Sequence, residues 1–308
     1  MPAAIDAPPG RMPSQPTFIV IGAQKSATTS IYNWLRQHPQ VYLSKQKELD
    51  FFSQDALYEQ GFDYYCRRWF ANTGAAKAIG DVSPHYMISA AVPERMARHL
   101  PQAQLVAILR NPIDRALSHH SMIRKRGLDS RPFSVAAAEL MQAGHGLINA
   151  VHDNYLVGGL YGATLGRFLQ YYPRNSLHIM FYEELIAEPA RHFSSLLEYL
   201  GVDPGFIPVD LGRIYNRRAY ASRFPALEAW MMRRNLLKRL IKSVVPASTL
   251  SRFLFWFDTE FNVKRIKDEE METVELPLRQ RLQEYFHDDV MALQALCGRK
   301  TPWVEFDV

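Results

Sequence analysis

The sequence predicts an α/β fold: three layers, with a central parallel sheet flanked by helices and a helical C-terminal extension. Three observations predict it. Short apolar runs, among them Phe18–Ile21, Val41–Leu43 and Leu105–Leu109, alternate with stretches of helical periodicity, as βαβ units require. The run Leu105–Leu109 has no polar residue, which suits a strand covered on both faces. The strands break at turn-forming sites such as Gly22 and Arg110-Asn111-Pro112.

The elements follow in order. Residues 17–22 form the first strand and 28–38 the helix behind it, closed by His38-Pro39 because a residue before proline leaves the helical region. Val41–Leu43 is a short strand, followed by the polar turn Ser44–Glu48. Residues 55–72 read as an aromatic-rich helix. Lys77–Asp81 is a strand ending near Ser83-Pro84, and 90–100 is a helix. Leu105–Leu109 is the central strand and 112–126 its following helix. Residues 153–173 are helical, 176–181 form a strand, and 188–200 form a helix ending at Gly201. Ligands of such sheets bind at the carboxyl ends of the strands, so Lys25, Asp81, Arg110 and Tyr182 share one rim. Residues 1–16, rich in Pro and Ala, read as a disordered leader without a signal-peptide core. Residues 17–308 read as a single domain without internal repeats.

Composition narrows the function. The 308 residues are 47% hydrophobic, with 17 Phe and 15 Tyr, enough for a sizeable core. The net charge of +5 suits an anionic ligand or surface. The 31 acidic residues are interspersed, which argues against nucleic acid as a partner. Cys66 and Cys297 allow at most one disulfide, and the ten histidines show no ligand spacing, so no metal is expected. No apolar run reaches the length of a membrane-spanning helix, and a cytoplasmic location is the default. The sequence sets no oligomeric state.

Residues 18–30 carry the strongest chemical signal. A buried strand runs into Gly22, then Gln24, Lys25, Ser26, Ala27, Thr28, Thr29 and Ser30, and a helical pattern follows at Ile31, Trp34 and Leu35. The first N–H groups of a helix lack partners and attract anions. Lys25 adds charge, and the hydroxyls add donors. The ordinary alternative is a helix capped by Thr and Ser. The ATP-binding G-x-x-x-x-G-K-[ST] motif is absent, because no Gly-Lys pair occurs.

With these residues the chain resembles the sulfotransferases that use 3′-phosphoadenosine 5′-phosphosulfate (PAPS), whose fold is P-loop-like. Gly22–Ser30 is similar to the family's 5′-phosphosulfate loop. Lys47-Glu48-Leu49-Asp50-Phe51-Phe52 is similar to a segment of the heparan-sulfate-type branch. Leu109–Ser118 is similar to the 3′-phosphate segment, and Phe181-Tyr182-Glu183-Glu184-Leu185, with Pro189 and Leu200-Gly201, is a fourth landmark. The tail from Leu278 through Tyr285 and Leu293 to Gly298 and Pro302-Trp303 resembles the family's closing helix.

The resemblance implies PAPS as donor, adenosine 3′,5′-bisphosphate as product and no metal. It implies that Lys25 clamps the phosphosulfate, and that Gln24, Ser26, Ala27, Thr28, Thr29 and Ser30 surround the 5′-phosphate. Ala27 stands where the family most often has Gly, a departure tolerated unless the backbone needs a positive φ. Arg110 and Ser118 take the 3′-phosphate; the structural alternative pairs Arg110 with Asp114. Arg115 reads as a solvated helix charge. Tyr182 belongs to the wall near the nucleotide, and Arg217 and Arg218 to a donor-covering loop. Glu48 is the expected general base, with His85 its rival. Lys47, Asp50 and Asp81 are expected on the acceptor side, Asp81 orienting a base or an acceptor hydroxyl. Asp50 replaces the branch's usual His, and Val82 its usual Lys.

The acceptor implied is a hydroxyl, foremost on a carbohydrate, with a glycolipid, other lipid or secondary metabolite as the alternative. A nucleotide kinase and a non-catalytic nucleotide-binding module are the rival classes. Residues 225–262 are the variable segment. Trp230, Leu237, Ile241 and Val244 share a helical face, with Arg233, Arg234, Lys238, Arg239 and Lys242 nearby. Such a pattern serves either as a lid packed on the sheet or as a peripheral membrane contact.

Overall fold

The computed structural model describes residues 14–125, 128–143, 155–213, 220–222, 263–265 and 273–307. The leader up to residue 13, Arg217, Arg218 and the segment 225–262 lie outside the described residues. The chain groups into two compact units, Met1–Arg115 with Leu156–Tyr215 and Gln280–Val308, and Ala116–Tyr155 with Asn216–Arg279.

The first unit is built on a five-stranded sheet: β1 (Phe18–Gly22), β2 (Val41–Leu43), β3 (Ala78–Val82), β4 (Gln104–Leu109) and β5 (Leu177–Phe181). The strands are ordered β2-β3-β1-β4-β5 and are all parallel. This is the expected three-layer α/β architecture. β1 lies between β3 and β4, and the chain moves to one side of it and then to the other. In such sheets the ligand crevice lies at the carboxyl end where strand order reverses, which here is the end of β1. Phe18, Ile19, Val20 and Ile21 are fully buried, as are Leu105 to Leu109. Gly80 is required beside Phe18: a Cβ there would stand 2.1 Å from the ring carbon Cζ.

Helix α1 (Thr28–Leu35) follows β1 directly. Its Ile31, Trp34 and Leu35, spaced to one helical face, are fully buried. Trp34 meets Phe193 edge-on at 5.7 Å in the core beneath the sheet. Burying each such side chain contributes about 1.5–3 kcal/mol, so α1 anchors the loop that precedes it.

Residues 55–72 are not one helix. They form α2 (Asp55–Tyr58) and α3 (Phe62–Trp69), divided at Gly61 with φ 87°. A helix cannot pass through a left-handed residue. Helix α4 (Val92–His99) and the start of α5 (Pro112–Lys125) match the sequence reading. Helix α6 (Phe133–Ala143), not assigned from sequence, lies in the second unit. Of the described residues 155–173, only Tyr161–Phe168 (α7) is α-helical, preceded by a 3₁₀ turn at Val157–Gly159.

Helix α8 (Tyr182–Ala187) leaves β5 without a loop, and α9 (Pro189–Tyr199) follows. The second unit contains a two-stranded antiparallel ribbon, β6 (Tyr220–Ser222) with β7 (Val263–Arg265). The closing helix α10 (Leu276–Cys297) is present and buries Leu282, Phe286, Val290 and Leu293. Its Asp289 carboxylate accepts the Gly162 and Ala163 N–H groups at 2.9 and 2.8 Å, capping the first turn of α7.

Arg115 corrects the sequence reading. It is 1% exposed, not solvated. Its guanidinium lies against Gly158, where a Cβ would come within 2.9 Å of Nη1. Burial holds its pKa below the usual arginine value.

Candidate active site

The loop after β1 is held tightly at its base. The Ala23 N–H donates to Ile108 O at 2.8 Å, and the Ser26 N–H to Ala23 O at 3.3 Å. Lys25 and Ala27 both have left-handed backbones, with φ 72° and 66°. Ala27 is therefore the exception named above: the methyl sits where φ is positive. A left-handed L-residue costs about 1–2 kcal/mol. Ala27 is also the N-cap of α1, and no side chain caps the helix. The N-cap position thus falls on Ala27 and not on Thr28, Thr29 or Ser30. Thr28 and Ser30 are buried, and Thr29 is half-buried.

Ser26 is fully buried, and its Oγ has no hydrogen-bond partner. Leaving such a hydroxyl unsatisfied costs about 1–3 kcal/mol. An orphaned hydroxyl beside an uncapped helix N-terminus and a lysine fits an anion such as the donor's 5′-phosphate.

Arg110 follows β4 and reaches the same loop. Its Nη1 donates to the Lys25 carbonyl at 3.4 Å, and its guanidinium lies 4.6 Å from the centre of the Tyr182 ring. Tyr161, fully buried, donates its hydroxyl to Arg110 O at 2.8 Å. The guanidinium does not pair with Asp114, so the structural alternative is not realised among the described residues. Asn111 caps α5, its Oδ1 accepting the Ile113 N–H at 3.0 Å. Ser118 is buried on α5.

Glu183 escaped the sequence reading as a positioning residue. Its carboxylate accepts the Asn111 N–H at 2.9 Å and the Trp303 indole N–H at 3.0 Å. The Phe-Tyr-Glu-Glu landmark was the available signal.

A second loop follows β2. Glu48 and Asp50 are left-handed, with φ 60° and 53°. The Glu48 N–H donates to Val82 O at 3.1 Å, which fixes the loop to the end of β3. Lys47 Nζ lies 2.6 Å from Glu48 Oε1. The Glu48 side chain is 41% exposed, the Lys47 side chain 18%. Phe51 and Phe52 are fully buried, Phe51 stacked on Tyr65 at 4.5 Å, and so they anchor the loop in the core.

Asp81, expected to orient a base or an acceptor hydroxyl, lies in the core. It is 1% exposed and faces inward. It accepts hydrogen bonds from Ser83 Oγ at 2.7 Å and from the Tyr65 and Tyr86 hydroxyls at 2.9 Å each. Burial pushes its carboxyl up to about 6, against the pull of these donors. Asp81 reaches the Glu48 loop through Ser83, whose Oγ accepts the Asp50 N–H at 3.3 Å, and through Tyr86, whose hydroxyl accepts the Phe52 N–H at 3.5 Å.

His85 stands in a 3₁₀ turn, Pro84–Met87, just after β3. Its Nδ1 is 3.4 Å from Asp50 Oδ1, and its Nε2 is 3.2 Å from Gln24 Nε2. Asp50, expected to bind acceptor, thus directs a buried carboxylate oxygen at an imidazole. The Asp50 carboxylate raises the His85 pKa, opposed by burial and helped by Glu48.

The structure therefore brings Gln24, Lys25, Arg110 and Tyr182 together, and joins Asp50 to Gln24 through His85. Among the described residues, no group of three or more His, Cys, Asp or Glu side chains is arranged to hold a metal. Among the same residues, no helix is long and apolar enough to cross a membrane.

Known proteins share this framework. The crystal structure of a sulfotransferase from Alicyclobacillus acidocaldarius superposes with a TM-score of 0.66 at 22% identity, over 94% of this chain and 98% of that one. The human bifunctional heparan sulfate N-deacetylase/N-sulfotransferase 2 is 31% identical over 198 residues, 61% of this chain. The human N-deacetylase/N-sulfotransferase 3 is 29% identical over 200 residues. The matched stretch spans 22% and 23% of the length of these two relatives. A family model described as the sulfotransferase domain matches residues 15–221, a span that holds Lys25, Glu48, His85, Arg110 and Tyr182. By that match the chain belongs to the sulfotransferase domain family.

Proposed function

We propose that the chain is a sulfotransferase that moves a sulfuryl group from PAPS to an acceptor hydroxyl on a carbohydrate and releases adenosine 3′,5′-bisphosphate. The observation that carries this reading is the pair of phosphate-suited groups on one rim: the uncapped α1 N-terminus with Lys25 and the orphaned Ser26 Oγ, and Arg110 reaching the same loop. PAPS supplies the activated sulfuryl group when bound. Arg110 is assigned to the 3′-phosphate, since a guanidinium fork suits that group. The α1 N-terminus with Ser26, Thr28, Thr29 and Ser30 is assigned to the 5′-phosphate. Lys25 balances the charge that builds on the departing phosphate. Preorganised positive charge of this kind is commonly the largest part of such catalysis.

Glu48 is assigned as the general base that takes the acceptor proton, and Lys47 holds its carboxylate. A positioned base contributes about 10²–10⁴ in rate. Carbohydrate is favoured because 61% of this chain is 31% identical to a protein named for heparan sulfate, and Lys47–Phe52 resembles a segment of that branch. Arg217 and Arg218 remain assigned to covering the donor, and residues 225–262 to the acceptor side.

The test is incubation of the purified chain with sulfur-labelled PAPS and a panel of glycan, amino-sugar, lipid and phenolic acceptors. Label on a glycan hydroxyl, with release of adenosine 3′,5′-bisphosphate, is the expected result. Label on lipid or phenol alone moves the acceptor class. Tight binding of adenosine 3′,5′-bisphosphate without transfer to any acceptor refutes the enzymatic reading.

A further inference from the structure

His85 touches both loops of the candidate site. Gln24 belongs to the loop after β1, next to Lys25, and Asp50 to the loop after β2, close to Glu48. The described non-glycine residues with positive φ are Lys25, Ala27, Glu48 and Asp50, a pair in each of these loops. Left-handed backbone persists at such residues only where the surroundings over-determine it. Something must hold both loops in place, and the imidazole lies between them.

We propose that His85 is a positioning residue, a strut that sets the Lys25 loop against the Glu48 loop, and that it does not itself take the acceptor proton. This rests on the sulfuryl-transfer reading above. A proton acceptor needs a lone pair directed at the substrate. A neutral imidazole has one. In the neutral ring that carries its proton on Nδ1, the nitrogen 3.4 Å from Asp50 Oδ1, the Nε2 lone pair meets the Gln24 amide N–H. In the charged ring no lone pair remains, and Gln24 can rotate its amide to present its oxygen to Nε2–H. The bridge therefore survives either protonation state. The groups facing the ring are Gln24 and Asp50 by contact, with Glu48 and Lys47 acting through their charge. The Asp50 backbone is itself pinned by Ser83, and the Glu48 N–H by Val82 O, so displacement of the ring is transmitted to the base loop.

The discriminating pair is His85→Ala and His85→Gln. A glutamine amide offers one donor and one acceptor and does not titrate. A strut predicts that kcat falls about a hundredfold in His85→Ala, the cost of misplacing reacting groups by about 1 Å. It predicts that His85→Gln recovers at least about tenfold of that loss and keeps the Glu48-dependent limb of the pH–rate profile. Equal inactivity of both variants, with unchanged melting and unchanged adenosine 3′,5′-bisphosphate affinity, overturns the proposal and makes His85 the base.

A second readout does not need activity. The ring nitrogens of His85 are followed by ¹⁵N magnetic resonance in the intact chain with Gln24→Ala and with Asp50→Asn. Both changes should move the ring shifts, and Asp50→Asn should lower the pH at which they titrate. Unmoved shifts overturn the strut. A wild-type chain that transfers to no acceptor, yet shows these shift changes, refutes the sulfotransferase reading and leaves the bridge standing.

Discussion

The Arg110 guanidinium lies 4.6 Å from the centre of the Tyr182 ring, one residue at the end of β4 and the other at the end of β5. The adjacent parallel strands bring them together: Leu109 registers with Phe181, so the residues after each emerge side by side. The aromatic face fixes the guanidinium without neutralising it, leaving its charge available to an anion.

Arg110→Ala is expected to weaken adenosine 3′,5′-bisphosphate far more than adenosine 5′-phosphate. Calorimetric titration of both nucleotides measures the difference. Equal losses would contradict a 3′-phosphate role. Arg110→Lys is expected to recover little, because an ammonium lacks the planar fork and stacks poorly on Tyr182.

Lys25→Ala should lower kcat about 10²–10³-fold, the usual effect of removing one preorganised charge or donor from a transition state. The melting temperature should change little, since Lys25 is half-buried in a loop. Near-normal turnover in the labelled-PAPS assay would remove Lys25 from the chemistry.

Glu48→Gln should depress kcat by about 10²–10⁴ while adenosine 3′,5′-bisphosphate affinity holds. The pH–rate profile should lose its acidic limb. A variant with wild-type kcat would reassign the base.

Ala27→Gly should stabilise the fold. Relief of the left-handed strain is worth about 1–2 kcal/mol, and the added freedom of glycine in the unfolded chain returns about 0.4–1 kcal/mol. A net gain near 0.5–1 kcal/mol corresponds to a melting increase of roughly 1–4 °C. A lower melting temperature would show that the surrounding turn relieves the strain at Ala27.

Asp81 makes stability depend on pH. Its folded pKa, about 6, is above the ordinary carboxylate value of 3.8. Between these values the folded chain binds more protons than the unfolded one, so stability falls as pH rises from about 4 to about 6. The contribution is up to about 3 kcal/mol. His85, also raised, adds loss in the same direction as pH rises above 6.5. Chemical denaturation across this range should show a shallower slope below pH 6 in Asp81→Asn than in the parent. Identical slopes would mean that Asp81 ionises as it does in the unfolded chain.

Much of the fold was legible because it is written in local patterns. The apolar runs at Phe18–Ile21 and Leu105–Leu109 can be satisfied only by strands covered on both faces, and the spacing of Ile31, Trp34 and Leu35 only by a helix against them. The Lys25 turn and Arg110-Asn111-Pro112 could be read as strand-end loops for the same reason. Gly61 alone divided the aromatic-rich stretch, a break that periodicity did not expose because both halves carry aromatic residues.

The sequence by itself determined the strands and the phosphate-suited turn, since each depends on residues near one another in the chain, and it put Lys25, Arg110 and Tyr182 at strand ends. Only the tertiary structure decided the left-handed backbone at Ala27, the inward turn of Asp81, the burial of Arg115 and the His85 bridge from Gln24 to Asp50. The Asp81 and His85 contacts depend on the order β2-β3-β1, which sets three loops distant in sequence side by side. Desolvation and backbone strain are set by what packs around a residue, and neighbours brought in from elsewhere in the chain leave no local pattern to read.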